Sequence, residues 1–216
     1  MAYPPRTQVT RPRLLEYSPG STTQHEDHTE ETMANDIDYG PLAGLAGSWK
    51  GDKGLDVSPE PDGREENPYW ETIDFEAIGD VTNAESQTLA VVRYHQVVRR
   101  KSNDEVFHDQ TGYWMWDAAN RTVIHSLAIP RAVCVVAGGR YAGDGSGPIV
   151  LEVGAKLGEG DWGIAQSPFM RDNAKTVEFR MKLTLDGDRI QYAETTVLDI
   201  YGKTFDHTDE SELARV

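Results

Sequence analysis

Cysteine, positive charge and long apolar runs are all scarce in this chain. Cys134 is the one cysteine among 216 residues, which excludes an internal disulfide and any zinc site built from several thiolates. Lysine and arginine number 21 against 36 acids, a formal charge of −15. Binders of phosphate backbones draw their affinity from clustered bases, so the balance argues against nucleic acid and against anionic membranes as partners. No run approaches the roughly eighteen apolar residues of a helical membrane span. Residues 2–12 are polar and proline-rich, without the apolar centre of a secretory leader. The expectation is a soluble, cytoplasmic, acidic protein.

Residues 1–39 differ from the rest. They hold four of the eleven prolines and the polar run Ser21 to Thr32, too little apolar surface to offset the entropy of ordering. They read as a flexible extension, with the domain spanning 40–216. His25 and His28 beside Glu26 and Asp27 have the look of a metal motif, but a solvated tail is the plainer reading.

From Gly40 onward the pattern is β. Pro41 to Ala46 suits one short helical turn with Leu42 and Leu45 facing inward. No later stretch keeps a helical apolar period. About ten strand-like runs follow: Gly47–Gly51, Tyr69–Gly79, Gln87–Arg99, Val106–Asp117, Thr122–Ile129, Ala132–Ala137, Ile149–Leu157, Thr176–Asp186, Arg189–Ile200 and Lys203–Arg215. The clearest alternation is Val177, Phe179, Met181, Leu183, Leu185, which buries one face and wets the other. Asp186-Gly187-Asp188 then supplies a tight hairpin. Consecutive strands with short turns and no crossover helices favour an all-β, up-and-down antiparallel barrel of about ten strands, because closure removes both edges. A barrel of that size has room for one small ligand.

Five pieces of this chain, in order, resemble the nitrobindin family of heme-binding β-barrels, related in shape to fatty-acid-binding proteins and lipocalins. They are Leu45-Ala-Gly-Ser-Trp-Lys-Gly51; Tyr69-Trp-Glu-Thr-Ile-Asp-Phe75; Phe107-His-Asp-Gln-Thr-Gly-Tyr-Trp114; Leu127-Ala-Ile-Pro-Arg131 with Val133 to Gly138; and His207, nine residues before the C-terminus. The likeness covers residues 40–216. Three departures stand out. Asp52 to Asn67 forms a longer acidic insertion, Pro130-Arg131-Ala132 replaces a Pro-Thr-Gly turn, and the residues after His207 are polar.

The resemblance implies heme b, with His207 as the iron ligand, nitric-oxide binding and isomerisation of peroxynitrite to nitrate. By alternation Phe205, His207, Asp209, Ser211 and Leu213 share one face of the last strand. Trp49 and Tyr113 are the aromatics expected against a porphyrin. Tyr113 and Trp114 point to opposite faces, so only one of them can do this. His95, His108 and His125 read as histidines of the barrel wall, any one of which could serve a ligand on iron. Cys134, between apolar neighbours, reads as a buried, inert thiol. The glycine-rich Gly138–Gly147 reads as a hairpin loop.

Another class of function is a heme-free carrier of a small apolar ligand, for which the polar last strand and the acidic insertion speak. A third is an interaction module acting through the tail. The residues leave open whether two barrels pair as a homodimer.

Overall fold

A computed structural model describes residues 37–216. The expected extension, including His25 and His28, lies outside the described residues except for its last three positions. Ile37 and Tyr39 pack against the core, and the Tyr39 hydroxyl accepts the Gly79 N–H at 2.9 Å, so the packed part begins before Gly40.

A 3₁₀ turn at Gly40–Leu42 leads into strands β1 (Gly47–Glu60), β2 (Gly63–Ala84), β3 (Gln87–Arg100), β4 (Val106–Asp117), β5 (Thr122–Ile129), β6 (Val133–Arg140), β7 (Ile149–Lys156) and β8 (Gly163–Gln166). Helix α1 (Pro168–Asn173) follows, then β9 (Ala174–Asp186), β10 (Arg189–Ile200) and β11 (Lys203–Arg215). Neighbours in the sheet are neighbours in sequence almost throughout. β1 pairs with β11, and β5 pairs with β6, so the sheet closes on itself. Every pairing is antiparallel. The result is a closed ten-strand barrel, as the alternation and turn signals predict. The short β8 continues the lane of β7 along β6.

The β9–β10 hairpin follows the sequence closely. Gly187 has a φ of +57°, which a glycine adopts without strain. Phe179, Leu183 and Leu185 are buried, and Leu183 and Leu185 pair with Tyr192 and Ile190 of β10. Leu42 and Leu45 point inward as expected and close one end of the barrel around Trp49.

Two expectations need correction. The strands expected to end at Gly51 and to resume at Tyr69 run further: β1 and β2 continue through Asp52 to Asn67 as a long hairpin through Glu60 and Gly63. Its acidic residues escape a simple strand reading because most of them sit on the wet face. Cys134 is exposed, not buried. Val133, Val135 and Ala137 take the inner positions of β6, so alternation turns Cys134 and Val136 outward.

Candidate functional site

A bulge in β1 decides what the cavity contains. Pairing with both β2 and β11 shifts register between Gly51 and the Gly54–Leu55 step. Before the bulge Trp49 and Gly51 face inward; after it Gly54 and Asp56 do, and Leu55 is turned out. One inserted residue swaps the faces of everything beyond it. A carboxylate, 4% exposed, therefore stands where an uninterrupted strand would put leucine or valine. Gly54 is required here, because the Tyr69 ring lies across it where any Cβ would stand.

Asp56 pairs with Asp209 on β11, and Asp209 pairs with Glu194 on β10. Three carboxyls thus form one row across three strands. All three line a cavity of about 260 Å³ at the end of the barrel opposite Trp49. His207, two residues from Asp209 and on the same face, lines it too. Its Nε2–H donates to Asp56 Oδ1 at 2.6 Å, and Asp209 Oδ2 is 3.6 Å away. Asn67 Nδ2 donates to the other Asp56 oxygen at 2.9 Å.

Facing carboxyls in a row repel when charged, and burial disfavours their charge further. Burial, with the charge of Asp209 added, pushes Glu194 up to about 8. Burial, with Asp56 and Glu71 against it, pushes Asp209 up to about 7 despite His207. Asp56 is the exception. Burial works to raise it, but the hydrogen bond and charge of His207, with Asn67 and Ser58, outweigh that and hold it below its ordinary value. For His207 burial opposes the charged ring, yet the Asp56 hydrogen bond and the negative row raise its pKa overall. The site therefore ionises at Asp56 first and keeps protons on its neighbours.

The rest of the lining divides by chemistry. Leu127, Val133, Val135, Phe179 and Leu198 make an apolar wall, and Met170 reaches it from α1. That helix is seated by Ser167, whose hydroxyl accepts the Met170 N–H. Arg100 and Arg131 add positive charge, Arg100 lying 4.5 Å over the Phe107 ring. His108 and Gln110 complete the lining from β4.

Of the residues singled out in the sequence, His207 is in the cavity. Trp49 and Tyr113 are not. Trp49 is fully buried at the closed end, its Nε1–H on the Leu45 carbonyl at 2.8 Å and the Arg215 guanidinium 4.2 Å over its ring. Tyr113 is 42% exposed on the outer wall, because alternation in β4 gives the inner place to Trp114. Trp114 in turn stacks on His125 at 4.1 Å, within the core. His95 is outside, paired with Asp109 at 3.2 Å. His108 alone of the three wall histidines lines the cavity. Asp56 and Glu194 were not legible as site residues; Asp209 was marked by sharing the His207 face.

Two chemistries fit such a site. Ligand atoms of Asp56, His207 and Asp209 lie within 4.8 Å of one another, a donor set suited to a divalent cation, although Asp56 and His207 already hold each other. A porphyrin needs an imidazole whose second nitrogen is anchored, a flat apolar wall and cations for its propionates. His207 with Asp56, the Leu127–Phe179 side and the two arginines supply an anchored imidazole, an apolar wall and cations.

Against family models, residues 38–215 match the one described as "THAP4-like, heme-binding beta-barrel domain". No curated protein matches. Among solved structures, the crystal structure of Rv2717c from M. tuberculosis superposes with a TM-score of 0.62, at 22% identity over 81% of this chain and 94% of that one. At that identity the likeness is one of fold.

Proposed function

We propose a function for a chain that belongs to the THAP4-like, heme-binding β-barrel domain family, the nitrobindin family: it binds ferric heme b in the 260 Å³ cavity, with His207 as the axial ligand. The observation that carries this is the hydrogen bond from His207 to Asp56, inside a cavity that also has an apolar wall and two arginines. A ligand histidine typically gives its second ring nitrogen to a carboxylate, which fixes the tautomer and raises basicity.

Heme bound there would supply an iron that takes nitric oxide and acts as Lewis acid and one-electron partner in isomerising peroxynitrite to nitrate. The protein's own contributions are separate. Asp56 orients His207 and keeps a proton on Nε2, leaving Nδ1 as the nitrogen free to ligate. Arg100 and Arg131 offer guanidinium groups to carboxylates at the mouth. Leu127, Val133, Val135 and Phe179 exclude water from one side.

The apolar wall also suits a heme-free carrier of a small hydrophobic molecule. That reading leaves the row Asp56, Asp209, Glu194 facing an apolar ligand, which would strip water from it without replacing a hydrogen bond. Heme binding makes use of the polar side as well as the apolar one.

Gel filtration after incubation with hemin tests the proposal. The parent should elute with one heme per chain, and His207→Ala should elute without it. Equal retention by both would remove His207 from the assignment.

A further inference from the structure

The second cavity histidine, His108, is one end of a hydrogen-bond chain that runs into the core. His108 Nε2 lies 3.2 Å from Gln110 Oε1. Gln110 Nε2 lies 2.7 Å from the Tyr94 hydroxyl, which lies 2.8 Å from His125 Nε2. His125 is 1% exposed, stacked on Trp114, and its Nδ1 has no partner among the described residues.

Donor and acceptor chemistry gives this chain a direction. An amide oxygen only accepts, so the proton of that link is on His108 Nε2. An amide nitrogen only donates, so the Tyr94 oxygen accepts from Gln110, and its own proton has one acceptor in reach among the described residues, His125 Nε2. His125 then keeps its proton on Nδ1. Both rings are neutral: burial pushes His125 down to about 3 and lowers His108 from its ordinary value. A neutral His108 with its proton on Nε2 has a bare lone pair on Nδ1, and Nδ1 has no partner among the described residues.

We infer that His108 is the residue that meets a ligand in the cavity, and that Gln110, Tyr94 and His125 lock it as a hydrogen-bond acceptor. It lies on β4, with β3, β2 and β1 between it and the strand of His207, so it reaches the cavity from another part of the wall. An acceptor welcomes a ligand that has a proton to give, such as water. It gives nothing to a bare anion, whose lone pairs face its own. Gln110, Tyr94 and His125 are positioning residues that act only through His108. The ligand half of the inference rests on the heme reading; the tautomer half does not.

The experiment has an arm for each half. The full-length, heme-free protein with ¹⁵N-labelled histidine is studied by long-range ¹⁵N–¹H correlation near neutral pH. Expected is His108 protonated at Nε2 and bare at Nδ1, with His125 the reverse. The opposite pattern, or a charged His108 ring, overturns the lock. In Tyr94→Phe the His108 signals should move toward an average of the two tautomers; if they stay put, the relay through Tyr94 is wrong. The heme-loaded protein and its His108→Leu variant are then titrated with fluoride, which binds ferric iron and profits from a nearby donor. Affinity should be unchanged or higher in the variant. A loss of about tenfold or more, the size expected for a hydrogen bond to an anion, would show that His108 donates. Failure to take up heme at all would count against the heme reading and the ligand half together, and the tautomer result would stand by itself.

Discussion

Asp56 and His207 lie 151 residues apart in the chain and 2.6 Å apart in the cavity. Pairing of β1 with β11 brings their strands together, and the β1 bulge turns Asp56 inward to meet the ring. An ionised Asp56 and a proton on His207 Nε2 are complementary: each shifts the other's pKa in the direction that keeps the pair.

Asp56→Asn should therefore weaken hemin binding without emptying the cavity. Loss of such an outer partner typically costs roughly 10–100-fold in affinity. Absorption titration of parent and variant measures it, and equal affinities would mean that Asp56 does not support the ligand.

Trp49 offers the converse test, since it stands at the closed end and not against the ligand. Trp49→Ala should destabilise the barrel by about 3–5 kcal/mol, the usual cost of deleting a large buried aromatic. Urea unfolding reads that loss. Hemin affinity of the fraction that remains folded should match the parent; a large drop would place Trp49 in the binding site after all.

Cys134 provides a simple check on β6. On the outer face it should react with a thiol reagent in the native protein, one equivalent per chain and without denaturant. Reaction only after unfolding would mean that the inner and outer positions of β6 are exchanged.

Acid should remove the stability that a neutral His125 contributes. The unfolded chain takes a proton on this ring near pH 6.5, whereas burial holds it off in the native state until about 3. Between those values the unfolded state binds more protons at this ring, so its contribution is full above roughly 6.5 and declines as pH falls, whereas Glu194 and Asp209, with raised native values, shift stability the opposite way. Each pH unit costs at most ~1.4 kcal/mol, so about 2 kcal/mol is gone by pH 5. His125→Phe should lower stability at pH 7 by leaving Tyr94 without its acceptor, yet narrow the gap to the parent by about 2 kcal/mol at pH 5. Urea unfolding at both values decides it, and a gap between parent and variant that is the same at both would contradict the assignment.

The sequence made the barrel readable where alternation was clean. Phe179 to Leu185 and the Gly187 turn predicted β9 and β10 closely, although a register shift near Val197 gives the inner place to Thr176 instead of Val177, and parity put His207 with Asp209 on one face. Four features were not readable, each for a physical reason. Val133 to Ala137 is apolar on both faces, so composition alone could not turn Cys134 outward. The Asp52 to Asn67 stretch carries its acids on a strand's wet face, and the bulge that reverses its parity is visible only once both neighbours are paired. Tyr113 and Trp114 were known to oppose each other, but which one faces inward depends on the register of β4 against β5. Asp56 meets Asp209 and Glu194 through cross-strand pairing over more than a hundred residues, and local spacing has no sign for that.

The most direct test of the account is a hemin titration of parent and His207→Ala, repeated for the variant with free imidazole present. The parent should give a sharp, saturable Soret band that the variant lacks, and imidazole should restore it by filling the space left by the ring. A band of equal strength in the variant without imidazole would contradict axial ligation by His207, and no band in the parent would contradict heme binding itself.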